Sequence, residues 1–138
     1  MISVVGTVTE GLRAASGFTI AAQMPFFVKK IPEMATSYCG TINLRLEEQV
    51  RIDDPDHEIF CMWAGPPGEM FGFLEITVEF PIGTEPRRAW IYIPHDSPHR
   101  GNRFQLEIIS QTIVGLTYGS RCRISLPRGH VEADCIVV

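Results

Sequence analysis

Gly40-Thr41-Ile42-Asn43-Leu44 sets a hydroxyl and an amide oxygen two residues apart within an alternating apolar stretch. In a strand this alternation turns Thr41 and Asn43 to one face, ~7 Å apart, and sends Ile42 and Leu44 to the core. Two neutral oxygens suit Mg²⁺ when substrate phosphates supply the charge, because Mg²⁺ keeps waters and takes few protein ligands. The polar face of an ordinary strand has the same pattern. Upstream lies Gly11-Leu12-Arg13-Ala14-Ala15-Ser16-Gly17. Its small residues let backbone N–H groups approach an anion, and Arg13 adds charge. No G-K-[ST] follows, so it is not a P-loop, and a plain Gly-containing connection reads equally from it. Glu107 falls on the polar side of Phe104-Gln105-Leu106-Glu107-Ile108-Ile109. At the rim of a cleft its carboxylate can orient or deprotonate a hydroxyl; otherwise it is an exposed strand glutamate. Pro94-His95-Asp96-Ser97-Pro98-His99-Arg100-Gly101-Asn102 is polar and turn-rich. Two prolines oppose the helix that would align His95 with His99, and no third ligand is visible. A ligand-contacting loop or a solvated hairpin loop fits better.

The elements that must position these groups are mostly strands. Period-two alternation runs through Val4–Gly11, Thr41–Leu46, Phe73–Phe80, Arg103–Ile108, Arg121–Leu126 and the tail Val131–Val138. Ala89-Trp90-Ile91-Tyr92-Ile93 is a short aromatic and β-branched run ending at Pro94. Helical signal is thin. Pro25–Ile31 predicts one or two turns, with Pro25 in the first turn and Pro32 ending it. Ser110–Leu116 predicts another short turn with Ser110 as N-cap. Turn signals stand at Gly65-Pro66-Pro67-Gly68, Gly83, Gly119-Ser120 and Pro127-Arg128-Gly129. Some seven half-buried strands and little helix predict an all-β domain, closed or nearly closed into a barrel, since closure removes exposed edges.

The 138 residues, 15.5 kDa in all, predict a single domain spanning 1–138 with a core of its own. A net charge of −4 argues against a nucleic-acid-binding face. Cys39, Cys61, Cys122 and Cys135 are too few and too irregular for a disulfide framework, and none forms C-x-x-C. Buried free thiols are expected. No basic leader and no run of 18 apolar residues occurs, so a cytoplasmic protein without membrane contact is expected. His57 and His130 need no functional role, and Trp63 and Trp90 are expected in the core or in a ligand wall.

Taken in order, these segments resemble the archaeal-type CTP-dependent riboflavin kinases. The likeness runs from about Val4 to Leu126. It is most specific at Gly40-Thr41-Ile42-Asn43-Leu44-Arg45-Leu46, with Leu106-Glu107-Ile108-Ile109 as a second matching segment. The resemblance implies a six-stranded closed cradle-loop (RIFT-type) barrel with one or two short helices. It implies Mg²⁺ held by Thr41 and Asn43, and nucleotide contacts from Gly11, Leu12, Arg13, Ala14, Ala15 and Ser16. It further implies flavin contacts from Ser97 and Glu107, with Glu107 near the ribityl chain. The implied reaction moves the γ-phosphoryl group of CTP to the riboflavin 5′-hydroxyl, giving FMN and CDP. Three departures stand out. The middle glycine of the family's G-L-G-x-G loop is absent, Ser97 replaces a threonine, and Ser110–Gly115 carries no basic residue.

Two further function classes compete with an enzyme. One is a non-catalytic barrel of the same fold that binds a flavin, nucleotide or other small ligand. The other is an interaction barrel with Phe18, Phe26, Phe27 and Trp63 as an apolar patch.

Overall fold

A computed structural model describes residues 2–9, 17–38, 40–52, 55–62, 68–94, 104–111, 117–127 and 131–133. The strands are β1 (Ile2–Thr9), β2 (Ile42–Leu46), β3 (Val50–Ile52), β4 (His57–Cys61), β5 (Glu69–Glu79), β6 (Arg87–Pro94), β7 (Gln105–Ile109), β8 (Arg121–Leu126) and β9 (Val131–Ala133). One helix, α1 (Gly17–Lys30), is followed by a 3-10 turn at Pro32–Thr36.

Six strands close in the order β5-β6-β7-β2-β1-β8, all antiparallel, with β8 returning to β5. Closure depends on the length of β5. Its 11 residues span ~36 Å at the strand rise. One edge therefore serves two partners: Glu69–Phe73 pairs with β4, and Thr77–Glu79 pairs with β8. β4 is thus an extra strand outside the closed ring, and β3 and β9 form a separate two-stranded ribbon. Alternation does not reveal β3 or β4, because β3 is only three residues long and β4 mixes polar with apolar residues on both faces.

Two apolar clusters divide the faces of the sheet. The barrel interior holds Val4, Val8, Leu44, Leu46, Leu74, Ile76, Ile91, Ile108, Cys122 and Ile124 among others. The opposite parity of β5 and β6, namely Phe71, Phe73, Trp90 and Tyr92, faces outward and packs with Ile20, Met24, Phe27, Ile31 and Met34. A second core therefore lies between the barrel wall and α1. Burying each such side chain contributes ~1.5–3 kcal/mol.

This second core explains why the helix is longer than expected. α1 begins at Gly17, and Pro25 lies inside it rather than in its first turn. Proline removes one backbone donor and crowds the preceding turn, which usually breaks a helix. Here Pro25 lies on the exposed side. Ile20, Met24, Phe27 and Ile31 repeat at helical spacing on the other side and are buried. Their burial outweighs the proline penalty. Phe27 is fully buried, so the apolar patch expected at Phe26 and Phe27 is not formed; Phe26 alone of that pair is exposed. The side chains of Phe18 and Trp63 lie outside the described residues.

The glycine turns at Gly83 and Gly119 have φ of +97° and +91°, the left-handed region that a side chain disfavours. Cys61 and Cys122 are buried thiols outside any disulfide. Cys39, Cys135, the turn expected at residues 112–116 and the tail 134–138 lie outside the described residues. Among the described residues, no helix is long and apolar enough to cross a membrane.

Candidate functional site

The register of the barrel brings polar side chains from distant segments into one row. Thr9 of β1 pairs with Asn43 of β2, Asn43 with Glu107 of β7, and Glu107 with Tyr92 of β6. Residues directly opposite each other across strands share a face. Leu44, Leu106, Ile108 and Ile91 occupy the interior, so this row lies on the outer face, beside the layer covered by α1. Its next member, Phe73, is the ring against which Phe27 packs at 4.7 Å.

Glu107 is only 5% exposed. It is a buried carboxylate rather than a solvated strand residue, and such burial is costly unless the charge is compensated. Thr41, one residue before β2, donates its hydroxyl to Glu107 Oε1 at 3.4 Å. That is long for an O–H···O bond, so the hydroxyl is near the carboxylate without being locked to it. Asn43 is half-buried. The Thr9 hydroxyl is buried without a hydrogen-bond partner among the described residues. Buried hydroxyls are ordinarily satisfied, and an exception marks a place where a further group can bind.

The far end of the row is tied to the helix. Tyr92 donates its phenol to Gln23 Oε1 at 2.7 Å, and Gln23 is 1% exposed. Burial pushes the phenol well above its ordinary range, and the charges of Glu107 and then Glu69 push it further; the bond to Gln23 acts the other way. Tyr92 therefore stays a neutral donor beside Glu107.

Thr41 and Asn43 offer neutral oxygens beside the Glu107 carboxylate, the chemistry that hard divalent cations prefer. It does not suit a transition metal, and among the described residues no group of three His, Cys, Asp or Glu could hold one. A Mg²⁺ bearing substrate phosphates fits the residues present.

No protein-family model matches the chain, and no curated protein matches it.

Three of the residues singled out from sequence therefore meet: Thr41, Asn43 and Glu107. Gly11, Leu12, Arg13, Ala14, Ala15, Ser16 and Ser97 lie outside the described residues, as do His95, Asp96 and His99. β1 ends at Thr9, two residues before Gly11 in sequence, and β6 ends at Pro94, three residues before Ser97. Both strands contribute to the row. Sequence reasoning missed Thr9, Tyr92 and Gln23. Tyr92 has the opposite parity to Ile91 and Ile93, which marks it as outward-facing. Nothing local showed that its neighbour would be Glu107. Gln23 stands among apolar helix positions at core spacing, and that was the available signal.

Proposed function

We propose that this protein is a Mg²⁺-dependent phosphotransferase of the riboflavin kinase type, acting on riboflavin with CTP. The observation that carries the reading is the contact between Thr41 and the buried Glu107, 66 residues apart, with Asn43 directly opposite Glu107. The resemblance implies roles for these three residues from two separate segments, and the fold brings the segments to one face.

Thr41 and Asn43 would hold the cation by their hydroxyl and amide oxygens. Mg²⁺ supplies charge compensation for the transferring phosphoryl group. Glu107 then has the role of a base: it orients the riboflavin 5′-hydroxyl and accepts its proton. The hydroxyl oxygen forms the new bond to the γ-phosphorus, the bond to the β–γ bridging oxygen breaks, and CDP departs. Such a transfer depends mainly on positioning and electrostatics. Tyr92 and Gln23 fix the wall beside Glu107, and α1 shields that wall from water.

Incubating the protein with riboflavin, CTP and Mg²⁺ should yield FMN. No product with CTP, ATP, GTP or UTP overturns the reading. A second reading, the same barrel binding flavin or nucleotide without transfer, is favoured by the Arg13-Ala14 sequence in the glycine loop and the absence of basic residues from Ser110 to Gly115. Calorimetric binding of riboflavin or FMN without turnover would support it.

A further inference from the structure

A cavity of about 320 Å³ opens where the 3-10 turn passes the start of β6. Its wall includes Arg87, Arg88, Trp90, Thr36, Gln111 and Glu33, and none of Thr41, Asn43 or Glu107. Its volume is at the lower end of the range for small-molecule pockets. Trp90 pairs with Ile109, while Tyr92 two residues on pairs with Glu107. The two places therefore lie ~7 Å apart along the strands.

The donors in this pocket are oriented. Arg88 contacts Glu75 Oε1 through Nε at 3.0 Å. Guanidinium carries five N–H donors, so a contact at Nε fixes its plane and leaves the terminal nitrogens for another acceptor. Arg87 makes no ion pair among the described residues. Gln111 donates its Nε2 to Thr36 Oγ1 at 2.9 Å. That bond leaves the Thr36 proton and the second Gln111 amide proton as free donors. Ser110, also in the wall, uses its hydroxyl on the Gln111 carbonyl oxygen at 3.0 Å and holds that residue in place. Glu33 is the carboxylate of this wall and Glu75 engages Arg88 from beside it, so Arg87 carries the positive charge that has no ion-pair partner among the described residues.

We propose that this pocket binds the phosphate group of a small phosphorylated ligand. A carboxylate is saturated by one guanidinium fork, whereas two forks and two neutral donors match the three terminal oxygens of a phosphate. The buried Trp90 indole forms an apolar floor for the ligand's remainder. The pocket does not depend on the riboflavin reading.

Titration calorimetry with inorganic pyrophosphate, in EDTA so that no Mg²⁺ contributes, tests the proposal on the full chain. Wild type and Thr41→Ala should bind pyrophosphate equally. Arg87→Gln and Arg88→Gln should each weaken binding at least tenfold, the scale of a hydrogen bond to a charged group. Arg87→Gln breaks no ion pair among the described residues, so its melting temperature should stay at the wild-type value. Absent binding, binding unchanged in both arginine variants, binding lost in Thr41→Ala, or citrate binding as tightly as pyrophosphate would each overturn it. Failure of FMN formation would leave this result untouched.

Discussion

The Thr41 hydroxyl reaches the buried Glu107 carboxylate at 3.4 Å across 66 residues of chain. Neither residue belongs to the apolar packing of the barrel. Leu106 and Ile108 on either side of Glu107 fill the interior, and Glu107 takes the opposite face. The contact lies just before the start of β2, beside the place where Asn43 also faces Glu107.

Glu107→Gln preserves size and the ability to accept the Thr41 hydroxyl, but removes the base. Turnover of riboflavin should fall by ~10²–10⁴-fold, the usual worth of a general base. The riboflavin dissociation constant should change much less. Steady-state rates of FMN formation beside calorimetric affinities check this, and unchanged turnover would remove Glu107 from the chemistry.

Thr41→Ala and Asn43→Ala each delete one neutral oxygen at the proposed cation position. The Mg²⁺ concentration for half-maximal rate should rise by about fivefold, corresponding to one net interaction of ~1 kcal/mol. Thr41 lies outside the apolar clusters, so its thermal midpoint should move little. A Mg²⁺ titration at saturating riboflavin and CTP measures the first effect, and calorimetric melting the second.

Stability should decline as pH rises above 9. Burial pushes the Cys122 thiol from 9.0 up to about 11, with a smaller backbone contribution from Gly6 acting the other way. Tyr92 is raised as well, by burial first. In both cases the folded state keeps a proton that the unfolded chain has released. The stabilisation is complete below the unfolded pKa and is lost as pH rises above it. Each group removes ~1.4 kcal/mol per pH unit within its window. Urea midpoints at pH 7, 9 and 11 should therefore fall, and Cys122→Ala should flatten the part between 9 and 11.

Phe27→Ala removes the ring that meets Phe71 and Phe73 edge-on at 5.3 and 4.7 Å. The cavity should cost ~3–5 kcal/mol. Because Phe27 lies one helical turn from Gln23, loosening α1 should also expose the Tyr92 phenol. Its alkaline titration, followed by ultraviolet absorbance, should then appear at lower pH than in the wild type.

Alternation of apolar and polar residues was enough to place β1, β2, β5, β7 and β8, because period two records the face that packs against the interior, whereas β6, buried on both faces, was legible from its aromatic and β-branched run. The left-handed glycine turns were legible too, since Gly83 and Gly119 adopt backbone angles that other residues resist. The extent of α1 was not, because Pro25 opposes a helix locally and only packing on Phe71, Phe73 and Tyr92 overcomes it. The sequence by itself determined that this chain closes strands around an apolar interior and that Thr41 and Asn43 share a face. Only the tertiary structure decided that Glu107 is buried, that Tyr92 and Thr9 stand in its row, and that Arg87 and Arg88 line one cavity with Gln111. Register between strands depends on how a closed barrel aligns all its members at once, and no single stretch of sequence carries that information.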